Sequence, residues 1–488
     1  MKLSYKISPF KGQNRRQQRE VVFSFGLCLY RYVSCLLILL PISLFSQTFY
    51  FGADQSYVNE MEDCGAIYTE DGQAKDVYQI FADHGSNLVR LRLWHTPSWY
   101  DQLNQAKRYS DFADVKKSIS RAKAQGMAVL LDFHLSDTWA DPGKQIVPQA
   151  WLPVVDDLES LKDSVYNYVF STLKALEREN LLPEMVQVGN ETNRDILLTE
   201  EQNQTWSLDW SRNAPLFNAG IKAVRDVSPD IQITLHIADP DNVVWWMNEF
   251  VQNQVRDFDI IGISYYWEWH QPTTIAKTAE IVQALKTTYT DKEVMLVEVG
   301  YPWSSSYADA ANNINTGVHP DYAPATPQNQ KQWLIDLAQA IIDKGALGMI
   351  YWEPSWVSTG CRTQWGKGSH YEQATFFDFD NDLLKPGGIE WMTHDYGLVR
   401  PPQPEPEISE TLFYLENGFL NVEIADYSET EDVNLSILDM QGKIVLQDSI
   451  RSSSEQMSLA FLAAGIYVVR LYKGQNLVLT KKISWSRE

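Results

Sequence analysis

The segments MVQVGNE (residues 185–191) and VMLVEVGYPW (residues 294–303) decide the fold. Each is a short apolar run of the length of one β-strand, and each carries a glutamate at or near its end: Glu191 in the first and Glu298 in the second. Apolar runs of this kind are typical of parallel sheets, in which the carboxyl ends of neighbouring strands lie on one rim. We therefore expect the two glutamates on the same rim.

Six further strand-like runs flank these two segments, and stretches with helical periodicity lie between them. Strand and helix alternate between residues 49 and 355, which predicts the α/β class and a (β/α)8 TIM barrel. In that fold the active site forms at the carboxyl ends of the strands. The six runs are residues 48–54, 88–94, 128–134, 231–237, 260–266 and 348–352, and the clearest helical stretches are residues 111–125, 158–179, 210–227 and 328–344.

The alternation of strands and helices stops after Trp391. Residues 400–407 read RPPQPEPE, a composition typical of a stiff, extended linker. Beyond it, residues 411–488 alternate apolar and polar positions, which predicts a small all-β sandwich. We therefore assign residues 47–398 to the barrel, 399–410 to the linker and 411–488 to the sandwich.

Residues 1–46 have the pattern of a secretory signal peptide. A basic stretch precedes an apolar run that ends near Ser46, and Arg31 interrupts this run, which argues against a permanent membrane anchor. Cleavage near Ser46 would give a secreted or cell-surface protein with Cys64 and Cys361 as its thiols. These cysteines either pair in an oxidising compartment or remain buried free thiols, and the sequence leaves both readings open.

Composition narrows the class of partner. The formal charge of −22 would repel phosphate backbones, so we expect no nucleic acid partner, whereas a neutral polymer is compatible with this charge. No pair of histidines has the spacing of helix-borne metal ligands, and no cluster of cysteine and histidine is present in the sequence. We therefore expect neither a catalytic metal nor a cofactor.

Two carboxylates on one rim are what a retaining glycosidase requires. In that reaction one carboxylate attacks the anomeric carbon of a sugar and the other protonates the leaving oxygen, with the two about 5 to 5.5 Å apart. Glu191, partly desolvated, suits the acid with a raised pKa, and Asn190 before it can bond a sugar hydroxyl. Glu298 has to stay ionised to act as the nucleophile, so it needs a cation nearby.

Cationic and polar side chains on other strands are candidates for the same rim. Arg90 and Arg92 share one face of the second strand, so Arg92, nearer the carboxyl end, is the better partner for Glu298, while Arg90 suits a structural ion pair. His134 ends the third predicted strand, and His236 lies near the end of the fifth. A single strand histidine is often a core residue, but several strands that carry polar groups to one rim favour a functional role.

Aromatic side chains follow the sixth, seventh and eighth strands. So many aromatics just past strand ends suggest a cleft in which sugar rings lie on aromatic faces, with Tyr265, Trp303 and Trp352 as the leading candidates. The aromatics are Tyr265, Tyr266, Trp267, Trp269, Trp303, Trp352 and Trp356. Packing in the core is the alternative for each of them.

At these residues the chain resembles glycoside hydrolase family 53, the endo-β-1,4-galactanases of the clan A barrels. The resemblance runs from about Phe51 to Leu398. It is carried by GADQSYV (52–58), VRLRLWHTP (89–97), DFHLSDTWADPGKQ (132–145), VQVGNETN (186–193), SYY (264–266), EVGYPW (298–303) and GKGSHYEQATFFDF (366–379).

This resemblance implies a secreted, endo-acting, retaining hydrolase of β-1,4-galactan and the type I arabinogalactan of pectin. It implies that Glu191 is the acid/base and Glu298 the nucleophile. It also implies places in the cleft for Arg92, His134, Asn190, Tyr265 and Trp352.

The chain departs from the family pattern in two places. After the sixth strand the family usually reads SYYPFW, whereas Tyr266 here is followed by WEW at residues 267–269. Some bacterial members bind a structural calcium in the loop after the seventh strand. Here residues 304–315 offer Asp309 and Asn313 but few other carboxylates, and calcium prefers about six to eight oxygen ligands, so this ion is the minor alternative to no metal.

The C-terminal segment resembles the type A sorting domain of Bacteroidetes type IX secretion. The motifs are NLSILDMQGKIV (434–445), LAAGIYVVRLYKG (462–474) and the final KKI (481–483). This implies that the secretion machinery is a partner and that the protein is released or attached to the cell surface. An immunoglobulin-like spacer or a carbohydrate-binding module is the alternative.

Two other functions fit parts of the same pattern. Another clan A endo-β-glycanase, acting on mannan or β-glucan, would share both carboxylates. A surface glycan-binding protein without turnover would keep the cleft, although the presence of both carboxylates argues against it.

Overall fold

The computed structural model describes residues 49–103, 106–398, 411–416, 419–424, 433–439, 443–474 and 476–485. The expected signal peptide (residues 1–46) and linker (399–410) lie outside the described residues. The described part contains a closed barrel of parallel strands with helices between them, followed in sequence by two antiparallel sheets. The predicted fold class is therefore confirmed.

All eight predicted barrel strands are present. Each pairs in parallel with the next strand along the chain, and the last closes the barrel by pairing with the first, where Gly348 lies opposite Tyr50. This closure requires glycine at position 52, because a Cβ atom there would lie 2.6 Å from Cγ1 of Ile350. The strands are β1 (Tyr50–Asp54), β2 (Leu88–Leu93), β3 (Ala128–Phe133), β4 (Met185–Val188), β5 (Gln232–Ala238), β6 (Ile260–Tyr266), β7 (Glu293–Gly300) and β8 (Gly348–Tyr351).

Helices follow the strands, and aspartates fix where several of them begin. The side chains of Asp76, Asp111, Asp157 and Asp209 accept hydrogen bonds from backbone N–H groups of the first helical turn, as N-caps do. None of the helices described is long and apolar enough to cross a membrane. They are α1 (Val58–Asp63), α2 (Val77–Asp83), α3 (Phe112–Ala124), α4 (Leu158–Arg178), α5 (Glu200–Asn203), α6 (Trp210–Val227), α7 (Pro240–Gln252), α8 (Ile275–Thr288) and α9 (Pro327–Ile342).

The barrel interior changes from apolar to charged along the strands. Leu88 and Leu130 belong to a buried apolar cluster, and two residues further along the same strands come Arg90 and Asp132, which are also buried. Since side chains alternate along a strand, residues two apart point to the same side. The charged layer therefore lies inside the barrel, nearer the carboxyl ends of the strands than the apolar layer.

The C-terminal residues form the predicted all-β unit. Its two sheets are antiparallel, with strand orders β9-β10-β13 and β12-β11-β14-β15. Leu420 and Val422 of one sheet share a buried cluster with Leu435 and Ile437 of the other, so the sheets pack face to face. The strands are β9 (Thr411–Glu416), β10 (Phe419–Ile424), β11 (Val433–Leu438), β12 (Ile444–Ile450), β13 (Ser454–Ser458), β14 (Gly465–Lys473) and β15 (Asn476–Trp485).

Cys64 and Cys361 form a disulfide bond, which was one of the two readings that the sequence left open. Cys64 follows α1 and Cys361 lies in the loop after β8, with Cα atoms 5.6 Å apart across a sequence separation of 297 residues. The bond therefore links two loops next to the strands that close the barrel.

We predict that the double substitution Cys64→Ser and Cys361→Ser lowers the free energy of unfolding by about 4 kcal/mol, because the cross-link restricts the unfolded chain over a long loop. Thermal unfolding with and without a reductant measures the effect. The oxidised wild type should melt at a higher temperature than the variant, and the reduced wild type should match the variant. Equal melting temperatures for the oxidised wild type and the variant would contradict the prediction.

Candidate active site

A cleft of about 670 Å³ opens at the carboxyl ends of the barrel strands. Glu191 and Glu298 both line it, together with Asn190 and Trp352, so these four predicted site residues share one cavity. Aromatic faces beside a few polar groups are typical of a small-molecule or sugar site. The remaining lining residues are Trp139, Ala140, Asp141, Pro142, Ala238, Tyr266, Trp269, His270, Asn312, Ile314, Trp356, Trp365 and His370.

Glu191 lies in a tight turn just after β4 rather than in the strand. Gly189 has a φ of 84°, and Glu191 itself has a φ of 44°. A Cβ atom at position 189 would lie 2.7 Å from Cγ2 of Thr192, so the turn needs glycine there. A left-handed conformation costs a glutamate about 1–3 kcal/mol, and such outliers concentrate at functional sites. The turn thus places the Glu191 carboxyl at the cavity.

Two residues on neighbouring strands orient the Glu191 carboxyl. The Ser264 hydroxyl of β6 donates to its Oε1 at 2.5 Å, and Nε2 of His236 on β5 lies 2.7 Å from the Ser264 oxygen. Nδ1 of His236 lies 2.9 Å from the Asn190 side-chain oxygen and 3.4 Å from the Glu191 backbone nitrogen. This chain of contacts fixes the orientation of both the Glu191 carboxyl and the His236 imidazole.

Glu298 lies within β7 and has different partners. The Arg90 guanidinium contacts its Oε1 at 2.9 Å, and the Tyr266 hydroxyl donates to its Oε2 at 3.0 Å. The strand register places Glu298 opposite Ser264, the residue that bonds Glu191. The two glutamates are therefore neighbours at the cavity wall.

Arg90 connects four parts of the barrel. Its guanidinium donates to Asp54 on β1 at 2.8 Å, to Asp132 on β3 at 2.7 Å and to the side chain of Asn190 at 2.8 Å, besides contacting Glu298. Only 1% of Arg90 is exposed, and a guanidinium remains charged at such a site. It supplies the cation that the sequence argument required beside Glu298.

The pKa values of the two glutamates differ because of these surroundings. Burial raises the pKa of Glu191 well above its ordinary value, and the charge of Glu298 raises it further. Burial also raises the pKa of Glu298, but the Arg90 guanidinium opposes that shift. Two adjacent carboxylates resist ionising together, and these surroundings favour the proton on Glu191 and the negative charge on Glu298.

The prediction that Arg92 rather than Arg90 pairs with Glu298 was wrong. Arg92 is buried outside the cavity lining, where it donates to Glu353 at 2.9 Å. Its guanidinium also packs over three aromatic rings, among them Trp139 of the cleft wall at 4.1 Å. Both arginines are buried. Arg92, nearer the rim, bonds the surrounding loops, whereas Arg90, below it, lies level with Glu298.

Both predicted histidines lie behind the cavity wall, which corrects the expectation that they contact a ligand. Nε2 of His134 lies 3.0 Å from the Asp132 carboxylate, and its Nδ1 accepts from the Ala140 backbone N–H at 3.2 Å. His236 is fully buried, and burial together with the charge of Arg90 lowers its pKa well below the ordinary value. These histidines act on the site through the groups that they position.

Two of the three leading aromatic candidates also lie outside the cleft lining. Tyr265 points away from the barrel axis and donates its hydroxyl to the Thr273 carbonyl at 2.7 Å, while its neighbour Tyr266 faces the cavity. Trp303 packs against Phe379 with ring centroids 4.8 Å apart. The predicted sugar contact of Tyr265 is therefore corrected, that of Trp303 stays a prediction outside this cleft lining, and Trp352 lines the cleft.

Sequence reasoning missed several residues of the site. Ser264 belongs to the quoted segment SYY, and counting every second residue of β6 would have selected it together with Tyr266. Trp139, Trp365 and His370 reach the cleft from loops. Loop conformations carry no periodic sequence signal, so only the motifs around these residues could have indicated them.

The described residues contain no group of three or more His, Cys, Asp or Glu side chains placed to hold a metal ion. In the loop considered for calcium, the Asp309 carboxylate accepts hydrogen bonds from the backbone N–H groups of Ala311 at 2.7 Å and Ser369 at 2.8 Å. The Ser358 hydroxyl also donates to it. Asp309 therefore fastens this loop to the loop after β8.

We predict that Glu191→Gln stabilises the fold increasingly as the pH rises. The raised pKa keeps Glu191 protonated in the folded state, whereas the same side chain ionises in the unfolded chain above about pH 4. This ionisation favours the unfolded wild type increasingly as the pH rises. Glutamine does not ionise, so the variant avoids this loss of stability. The melting temperatures of variant and wild type should be similar at about pH 4, and the variant should melt higher at about pH 8. Glu280→Gln, an exposed change on α8, is the control. A difference that does not change with pH would contradict the assigned shift.

Comparison with known proteins agrees with this geometry. The family model of Glycosyl hydrolase family 53 matches residues 50–386, and that of the Secretion system C-terminal sorting domain matches residues 416–485. An arabinogalactan endo-beta-1,4-galactanase of Cellvibrio japonicus is 48% identical over 336 residues, which cover 68% of this chain and 86% of that protein. An endo-beta-1,4-galactanase of Bacillus subtilis is 33% identical over 329 residues, which cover 65% of this chain and 73% of that protein.

Solved structures show the same barrel. The catalytic domain of the Ignisphaera aggregans GH53 protein superposes with a TM-score of 0.64 at 31% identity, covering 72% of this chain and 97% of that chain. A structure from a study of two fungal beta-1,4-galactanases superposes with a TM-score of 0.59 at 26% identity, covering 71% of this chain and 99% of that chain. The sorting domain points to secretion or the cell surface. With its family match, its paired carboxylates and its (β/α)8 barrel, the chain belongs to glycosyl hydrolase family 53.

Proposed function

We propose that this protein is a secreted, retaining endo-β-1,4-galactanase that hydrolyses internal linkages of galactan and type I arabinogalactan. The observation that carries the proposal is the pair of glutamates on one cleft wall, one beside a buried cation and one apart from it. The galactanase names of the relatives support the substrate class. The chemistry follows from the surroundings of each carboxyl.

Glu298 is the nucleophile of the first step. Arg90 and the Tyr266 hydroxyl bond its two carboxylate oxygens and stabilise the ionised form, which can attack the anomeric carbon. The attack forms a covalent bond between Glu298 and the sugar while the glycosidic bond breaks. Because both partners are buried, the carboxylate is held in one orientation before substrate binds.

Glu191 is the acid in this step and the base in the next. Its raised pKa keeps a proton available for the leaving glycosidic oxygen. Once that proton is transferred, Glu191 is a carboxylate and can take a proton from the water that attacks the glycosyl-enzyme. The Ser264 and His236 contacts keep its carboxyl aimed at the same place during both steps.

The cleft walls supply the binding surface for the polymer. Trp352 and Trp139 contact each other edge to face with centroids 5.6 Å apart, and Trp269 and Trp365 are half-exposed at the cleft. Flat aromatic faces pack against the apolar faces of sugar rings. Asn190, held by Arg90 and by the Ala140 carbonyl, is the polar group placed next to Glu191.

The two ends of the chain direct the enzyme out of the cell in this proposal. Cleavage of a signal peptide near Ser46 releases it from the inner membrane, and residues 411–488 then engage the secretion machinery. The reaction itself uses the two carboxyl groups, with neither a metal nor another cofactor in either step.

We predict that the purified protein releases short oligosaccharides from linear β-1,4-galactan and leaves β-mannan and mixed-linkage β-glucan intact. Glu298→Gln should lower kcat by at least about 10³-fold, because the neutral amide cannot form the glycosyl-enzyme. Size separation of the products measures both effects.

Glu280→Gln, an exposed glutamate on α8, should keep wild-type activity and serves as the matched control. Cleavage of mannan or β-glucan in place of galactan would retain the mechanism and replace the specificity. Binding of galactan without any cleavage would indicate a glycan-capture protein instead.

We predict a bell-shaped pH dependence of kcat/KM on galactan. The rate needs Glu298 ionised and Glu191 protonated, so it falls at low pH as Glu298 takes up a proton and at high pH as Glu191 loses one. In Glu191→Gln, an aryl galactoside whose phenolate leaves without a proton should show no alkaline limb. An alkaline limb that persists in this variant would assign the acid role to another group.

A further inference from the structure

Trp206 is the most exposed tryptophan among the described residues, with 59% of its surface open to solvent. Trp269 and Trp365, which are also exposed, line the cleft, whereas Trp206 lies in the loop between α5 and α6, within the connection that follows Glu191. A single exposed apolar side chain needs no special explanation. Trp206 differs from such a residue because hydrogen bonds fix its ring and its loop next to the cleft.

The indole of Trp206 is anchored close to Glu191. Its Nε1–H donates to the Asn193 carbonyl at 3.2 Å, and the Asn193 N–H donates to the Glu191 carbonyl at 2.8 Å. The Asn193 side chain in turn bonds both backbone groups of Ala238, a cleft residue, at 2.9 Å. Since consecutive Cα atoms are about 3.8 Å apart, the indole lies within about 10 Å of the Glu191 backbone, a span that a short oligosaccharide covers.

A buried arginine joins the Trp206 loop to the cleft wall. The Arg194 guanidinium donates to the Thr205 carbonyl at 2.6 Å and to the Gly143 carbonyl at 3.2 Å, and only 3% of Arg194 is exposed. Thr205 precedes Trp206, and Gly143 follows the cleft residue Pro142. The Trp206 loop is thus linked to the lining of the cleft, and one edge of the indole is hydrogen-bonded while most of the side chain is open to solvent.

We infer that Trp206 is a carbohydrate-binding platform that extends the cleft for the leaving half of the galactan chain. The inference rests on the proposed function and deepens it. Glu191 protonates the leaving oxygen, so the sugars beyond that oxygen lie on the side of the Glu191 loop. An apolar face of a galactose ring packs on the exposed indole face there. Trp206 is a binding residue and takes no part in bond cleavage.

Binding of linear β-1,4-galactan to the inactive Glu298→Gln protein, measured by isothermal titration calorimetry, tests the platform. Adding Trp206→Ala should weaken binding about three- to tenfold, the size expected for one aromatic contact, while Trp206→Phe should retain much of the affinity because it keeps a ring. Trp245→Ala is the matched control, since Trp245 is 49% exposed on α7 and does not line the cleft. Melting temperatures of all variants confirm that they fold.

The position of cleavage tests which half of the chain is bound. In active protein, Trp206→Ala acting on galacto-oligosaccharides labelled at the reducing end should shift cleavage so that the labelled products become shorter. Unchanged affinity and unchanged products in Trp206→Ala would overturn the inference and leave the proposed function intact. A Glu298→Gln protein that does not bind galactan would overturn both the inference about Trp206 and the proposed function.

Discussion

The Arg90 guanidinium is the interaction on which the rest of the active site depends. A buried charge costs several kcal/mol unless it is paired and hydrogen-bonded, and Arg90 meets this condition through groups supplied by β1, β3, β4, β7 and the turn after β4. Those strands therefore have to assemble correctly before the cation is satisfied. Barrel closure and the geometry of the catalytic groups therefore depend on the same set of contacts. A substitution at Arg90 would leave Asp54, Asp132 and Glu298 as a cluster of buried negative charges.

The Arg90 cation also makes the pKa values of Glu191 and Glu298 differ, although the two side chains are chemically identical. Glu298 contacts Arg90, whereas Glu191 contacts the Ser264 hydroxyl, which is backed by a neutral imidazole. Burial alone would raise the pKa of both carboxyls, so the asymmetry comes from the position of one charge. The neutral His236 is part of this arrangement, because a second cation beside Glu191 would remove the reason for it to hold a proton.

The sequence predicted the eight strands, the four helical stretches and the two cleft glutamates, since apolar periodicity and strand-end carboxylates are local signals. It failed where the answer depends on how neighbouring strands are staggered. The choice of Arg92 over Arg90 was wrong because the stagger of neighbouring strands decides which arginine lies level with Glu298. Tyr265 failed for a simpler reason, since alternation along β6 turns it away from the cavity that its neighbour Tyr266 faces. The loop residues of the cleft wall depend on tertiary contacts that no short segment encodes.

The disulfide between Cys64 and Cys361 has a consequence for the order of events in biogenesis. Such bonds persist outside the reducing cytosol, so the cross-link belongs to a chain that has left it. The cysteines lie in loops next to β1 and β8, which pair in the closed barrel, and they are 297 residues apart in sequence. Once they are bonded, the chain between them can no longer be fully extended. In the proposed export route, a chain that is cross-linked before it meets the secretion machinery leaves the cell with its barrel already closed.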